Sequence, residues 1–188
     1  YKQHVWSYYD IGNDDAHTIL WLVGGLKMGD AAFRSISTLQ SSFRIILPSY
    51  PSLSTMADLT DGLIAILDAG GVEKVSVLAG SYGGMIAQVL VRRYRDRVHK
   101  LILSTTSAPD TQKIEVYQQQ RDMVAQSPDE LVMQVACERM YGMINPMQNE
   151  ENFWRAYLDE LYMQRLTKND LISTYDSILD YMTNYQFH

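Results

Sequence analysis

Ser81 lies in the run Val75-Ser-Val-Leu-Ala-Gly-Ser81-Tyr-Gly-Gly-Met-Ile-Ala87. An apolar, branched stretch leads into small residues, a hydroxyl and more small residues. A helical pattern follows, with Met85, Ile86, Val89, Leu90 and Tyr94 on one stripe. A serine at the tip of so tight a strand-to-helix turn is placed for nucleophilic attack. The turn holds the backbone at a strained angle and lifts Oγ clear of the sheet's C-terminal edge. Strand and helix backbones nearly touch there, so the positions two before and two after must be small. Ala79 and Gly83 meet that need, and Gly84 adds room. The Tyr82 backbone N–H, in the first helical turn, would face negative charge developing on an attacked carbonyl oxygen. The competing reading is the glycine-rich turn of a nucleotide-binding fold. It requires G-x-G-x-x-G or a GK[ST] loop, and this chain has neither.

A second segment agrees. The apolar run ending at Val23 continues into Gly24-Gly25-Leu26-Lys27-Met28-Gly29. A glycine loop there would deliver a second N–H to the same oxyanion. Gly25 is the chosen donor, with Leu26 the alternative if the register slips by one. The competing reading is an ordinary strand-to-helix turn. A base is harder to find among the four histidines. His4 and His17 lie on the expected first hairpin, His17 in a solvated turn beside Asp14 and Asp15. His99 opens a strand at the wrong edge of the sheet, and His188 is the last residue. Without a base, the Ser81 hydroxyl is expected to be a poor nucleophile. No H-E-x-x-H or clustered Cys/His is present, so neither metal nor cofactor is expected.

These residues need a scaffold. Four short apolar runs, Thr18–Val23, Phe43–Pro48, Lys74–Ala79 and Lys100–Ser104, read as buried parallel strands. Helix-length segments separate them at 31–40, 57–69 and 83–95, with Gly70-Gly71 a C-terminal stop. Such alternation predicts an α/β fold with a mostly parallel sheet and flanking helices. Upstream, Val5–Tyr9 reads as a strand that Gly12-Asn13-Asp14-Asp15 turns back to pair antiparallel with the Thr18 strand. After Pro109-Asp110 no strand is expected. Helices are read near 112–126, 128–142, 149–165 and 168–184. Ser127-Pro128-Asp129-Glu130 gives one start, with Ser127 as N-cap and Pro128 at the first position, and Thr167–Asp170 gives a weaker one. The expected division is a sheet domain over 1–110 and an all-helical segment over 111–188. The latter holds 7 of the 10 Met and 7 of the 13 Tyr, suited equally to a helical core or to adaptable surface over a cleft.

At 188 residues with 46% hydrophobic and 20% charged residues, the chain can bury a real core without staples. A net charge of −6 argues against a nucleic-acid partner. The basic run from Arg92 to Lys100 reads as cations closing a helix C-terminus. The single cysteine, Cys137, excludes an internal disulfide, reads as a buried thiol, and goes with a reducing, cytoplasmic setting. The longest uncharged stretch near the start, His17 aside, ends at Leu26 and is too short to span a bilayer. The chain opens on Tyr1 and ends at Tyr185-Gln186-Phe187-His188 without helix-stop chemistry, so both ends are expected to be cuts.

Taken together, Leu22-Val-Gly-Gly25, Phe43–Pro48, Leu78-Ala-Gly-Ser-Tyr-Gly-Gly-Met85 and Arg97–Ser104 resemble the α/β-hydrolase fold. The resemblance covers Thr18 to Pro109, about half the chain. Ser-Tyr-Gly-Gly-Met is similar to proline iminopeptidase-like members, and Ser49-Tyr50-Pro51 to maspardin-like ones. The helical segment from 112 is similar to the cap found in many such enzymes. The resemblance implies a serine hydrolase of small-molecule esters or amides. Ser81 would be the nucleophile, with Tyr82 and Gly25 as oxyanion donors. It also implies triad order Ser, then Asp or Glu, then His, so the acid and base are expected beyond His188, on an N-terminal fragment. Asp110 sits where some hydrolases keep the acid, but a plain loop aspartate is the stronger reading. Two positions depart from the family: Val23 stands where a His usually opens the oxyanion loop, and Ala79 replaces a glycine. The alternative is a non-catalytic, hydrolase-like binding or adaptor protein. A sheet cut before its last strands would leave an edge uncovered, which predicts a homodimer or domain swap.

Overall fold

The computed structural model describes residues 4–186; His188 lies outside them. Five strands form one sheet: β1 (Ser7–Gly12), β2 (Thr18–Leu22), β3 (Arg44–Ser49), β4 (Val75–Gly80) and β5 (Val98–Ser104). Their spatial order is β1-β3-β2-β4-β5, parallel except where β1 runs antiparallel to β3. Between strands lie α1 (Phe33–Leu39), α2 (Met56–Ala69) and α3 (Ser81–Arg93). Beyond β5 come α4 (Ile114–Gln126), α5 (Asp129–Ile144), α6 (Glu151–Glu160) with a π-helical turn at Leu161–Arg165, and α7 (Lys168–Asn184).

The expected β1–β2 hairpin does not form. Both edges of β2 are taken by parallel partners, β3 and β4, so the preceding strand has no edge of β2 to join. It pairs instead with the outer edge of β3, from Ser7↔Ser49 to Gly12↔Arg44, and Asp10 receives two hydrogen bonds from Arg44 at 2.6 and 2.9 Å. The helix start at Ser127 also differs. Pro128 occupies the cap position of α5, and the Ser127 hydroxyl turns back to donate to the Met123 carbonyl at 2.8 Å. The Thr167–Asp170 start, by contrast, is a complete capping box. Of the basic run, Arg92 and Arg93 do lie in the last turn of α3. Arg93 and Arg97 go further and tie that end to α2, through Asp61 and Asp68.

Alternate residues of β2 and β4 are buried, among them Leu20, Leu22, Val75, Val77 and Ala79. They belong to a core that also takes Leu63 and Leu67 from α2, Ile86 and Leu90 from α3, and Ile178, Tyr181 and Met182 from α7. A second apolar cluster joins Val132, Met133 and Cys137 of α5 to Leu158, Leu161, Tyr162 and Leu166. Leu26 and Met28 of the loop after β2 pack against it. Burial and the neighbouring Asp159 push the Cys137 thiol up to about 11, consistent with an inert structural thiol. β5 differs from the other parallel strands. It pairs on one side only, and Ile102 and Leu103 are 56% and 40% exposed. No described helix is long and apolar enough to cross a membrane.

Candidate active site

From β2 the chain crosses to β3 on one side, and from β4 to β5 on the other. The C-terminal ends of β2 and β4 therefore flank a topological switch point, where open α/β sheets form their binding crevice. Ser81 leaves β4 at that point and is the first residue of α3. Its φ is 50°, left-handed, while Gly80 before it is extended at φ −128°. A non-glycine residue held this way costs about 1–3 kcal/mol, and the surroundings must enforce it. They do so by close approach. A Cβ on Gly83 would strike the Leu22 and Val23 carbonyl oxygens, and one on Gly84 would strike the Thr106 side chain. Ala79, where the family favours glycine, is 1% exposed and accommodated.

The loop after β2 arrives beside the hydroxyl. The Cβ direction of Gly24 points to within 3.2 Å of Ser81 Cβ and 3.7 Å of its Oγ. Gly25 follows, with the Met140 methyl 3.5 Å from where its Cβ would be. Ser81, Tyr82 and Gly24 thus come together directly, with Gly25 next in the loop and under the α5 side chain. Tyr82 N–H is among the first four of α3, which lack helical acceptors. A hollow of about 280 Å³ opens alongside, lined by Trp21, Leu26, Arg34 and Trp154, with Gly24 and Gly80 on its wall.

Several supporting residues escaped the sequence reading. Thr106 Oγ1 donates to the Ser81 carbonyl at 2.8 Å, and the preceding Thr105 is itself left-handed at φ 45°. The Tyr82 phenol is buried and shares a 2.7 Å hydrogen bond with Ser177 Oγ of α7; burial raises it well above an ordinary phenol. Tyr50 stacks edge-on to it at 5.9 Å and donates to the Val23 carbonyl at 2.9 Å. That bond holds Val23, where the loop after β2 begins. Gly29 N–H donates to Ser49 Oγ at 3.1 Å. Lys27, 1% exposed, reaches Asp170 at the start of α7. An out-of-place charge in Gly-Gly-Leu-Lys-Met-Gly was the available signal, but its partner lies 143 residues away.

The remaining candidates lie elsewhere. His17 immediately precedes β2 and His99 is the second residue of β5, both at the opposite end of the sheet. His17 is exposed but not merely solvated: its Nε2 is 2.8 Å from Ser76 Oγ, and its ring meets His99 edge-on at 5.6 Å. His4 is exposed. Asp110 accepts from Gln112 N–H at 3.0 Å and caps a short helical turn, as a loop aspartate does.

A family model described as alpha/beta hydrolase fold matches residues 19–168. The chain is 32% identical over 114 residues to a proline iminopeptidase, PfmaB, of Pestalotiopsis fici, covering 54% of this chain and 40% of that one. It is 31% identical over 103 residues to maspardin of Homo sapiens, covering 53% and 33%. The matched segments therefore span less than half the length of these relatives. Among solved structures, a hydrolase from Pseudomonas aeruginosa superposes with a TM-score of 0.78 at 18% identity, covering 93% of this chain and 68% of that one.

Proposed function

Since the chain belongs to the α/β-hydrolase fold family, we propose that it is the nucleophile-bearing part of a serine hydrolase acting on small-molecule esters or amides. The observation that carries this is the left-handed Ser81 at the β4–α3 junction with the Gly24 backbone against its side chain. In the reaction, Ser81 Oγ bonds to the substrate carbonyl carbon while a base takes the hydroxyl proton. The carbonyl pair moves onto oxygen, and the oxyanion lies between the N–H groups of Tyr82 and Gly25. Collapse expels the alcohol or amine, which takes the proton from the base. Water then hydrolyses the acyl-serine by the same steps. The hollow beside Gly24 and Gly80 accepts an apolar acyl or leaving group.

The triad acid and base belong to chain beyond His188, in keeping with the short coverage of the relatives. The segment 111–188 acts as the cap, with α7 also fastened into the sheet core. The exposed β5 edge, with Ile102 and Leu103, takes a further strand. If this chain is expressed alone, that strand comes from a second copy. Light scattering at tens of micromolar checks this. A dimer lost in Ile102→Lys supports it, and a monomer with a cooperative melt counts against it. The setting is cytoplasmic, with substrate the partner rather than nucleic acid.

A second reading, a non-catalytic binding or adaptor protein, draws on one observation: His17 and His99 sit at the far end of the sheet from Ser81. Fluorophosphonate labelling of the protein extended through its C-terminal region separates the two. Labelling lost in Ser81→Ala supports the hydrolase. Absence of labelling supports the adaptor.

A further inference from the structure

Lys27 lies in a loop, yet its side chain is only 2% exposed. Its backbone is left-handed at φ 62°, a conformation lysine rarely adopts. Its ammonium meets one residue twice: the Asp170 carbonyl oxygen at 3.1 Å and its Oδ1 at 3.4 Å. The same Oδ1 accepts from Ser52 Oγ at 2.6 Å. The other carboxylate oxygen accepts from Thr167 N at 2.9 Å and from Thr167 Oγ1 at 2.8 Å. Every polar group of Lys27 is engaged. Its N–H donates to the Gly24 carbonyl at 3.1 Å, and its carbonyl accepts from Tyr50 N–H at 3.0 Å.

A desolvated ammonium and a strained backbone in one residue are both unfavourable. A loop free to choose its position would put this lysine outside. The bond from Lys27 N to Gly24 O closes a turn that contains Gly25, so displacing Lys27 displaces Gly25 and shifts Gly24 against Ser81. Asp170 is equally committed. It is the third residue of the α7 capping box, and α7 also meets Tyr82 through Ser177 and the loop after β5 through Tyr181 and Ser107. Burial lowers the Lys27 ammonium's affinity for its proton, and the carboxylate of Asp170 opposes this. On Asp170, burial works against ionisation, but hydrogen bonds from Ser52 and Thr167 and the charge of Lys27 win and hold its carboxyl below the usual range.

We propose that Lys27 and Asp170 are positioning residues: their part-buried pair fastens the Gly24–Gly29 loop, and with it the Gly25 N–H, to the first turn of α7. This rests on reading that loop as one side of the oxyanion site. A cap helix thereby sets the geometry of the loop that faces Ser81, in place of the loop-opening histidine that Val23 replaces.

The test uses Lys27→Met, Asp170→Asn and the double variant of the C-terminally extended protein. Two quantities are measured: backbone amide exchange of the peptide spanning residues 22–29, and the rate of Ser81 labelling by a fluorophosphonate. The pair predicts that each single variant raises loop exchange about tenfold or more while β4 amides stay protected. The double variant should be no worse than the worse single. Labelling should slow about tenfold in the inactivation step, kinact, with the probe's KI unchanged. Unchanged loop exchange, or exchange effects that add, overturns the pairing. Faster loop exchange with unaltered kinact overturns the positioning role. If the parent protein fails to label at all, the hydrolase reading falls, and exchange alone still decides whether the pair fastens the loop. Should Lys27→Met not fold, Asp170→Asn, which keeps the volume and a cap acceptor, carries the same comparison.

Discussion

Ser76 lies near the start of β4 and Ser81 just past its end, and each has what the other lacks. Ser76 Oγ has a histidine ring nitrogen at 2.8 Å, but it sits in a strand, at a register shift, with neither a left-handed backbone nor a helix start behind it. Ser81 has no described histidine beside it. It has the left-handed backbone, the first turn of a helix behind it and the Gly24 loop against its side chain. A hydrogen-bonded imidazole is easily acquired at an exposed strand end. A strained turn enforced by backbone-to-backbone contact is not, because it needs small residues on two elements at once. The strained turn at Ser81 is a backbone property, enforced where α3 approaches the end of β2.

The largest effect should come from attacking that enforcement. Gly83→Val drives a side chain into the Leu22 and Val23 carbonyls, which cannot yield without moving β2. A loss of about 3 kcal/mol or more is expected in urea unfolding, together with loss of Ser81 labelling. A smaller effect concerns pH. Asp170 has a folded-state pKa below the ordinary 3.8, so the unfolded chain takes up the proton first as pH falls. Its contribution to stability is complete above that ordinary value and is lost as pH drops through the folded one. Thermal melts from pH 6 downward should therefore show an acid limb that Asp170→Asn flattens. An unaltered limb would remove Asp170 from the account. The smallest effect belongs to the other end of the strand. His17→Ala breaks only an exposed contact and should change stability by less than about 0.5 kcal/mol, with Ser81 labelling intact.

Much of this was readable in advance where the information is local. The runs around Leu20, Ile46, Val77 and Leu101 become strands, because continuous branched apolar stretches bounded by Gly and Pro have little other use. The four helices after β5 fall within a few residues of their expected spans, and Ala79, Gly83 and Gly84 announce the turn at Ser81. The misreadings share a non-local cause. Proximity in sequence points β1 to the nearest strand, but pairing depends on which edges remain free once β3 and β4 flank β2. Ser127 has the composition of a cap and spends its hydroxyl on the helix before it. Lys27 gains meaning only when Asp170 of α7 and Tyr50 of the loop after β3 converge on it from two distant segments, with Ser52 of that loop holding Asp170.

The most direct measurement follows from Ser76 in β4 and Ser81 at the start of α3. The C-terminally extended protein is treated with a fluorophosphonate, and the adduct is located by peptide mass spectrometry in the parent, Ser76→Ala and Ser81→Ala forms. A single adduct on Ser81, retained in Ser76→Ala and absent from Ser81→Ala, is the predicted result. An adduct on Ser76, or none on Ser81 in a protein that folds cooperatively, would contradict the account.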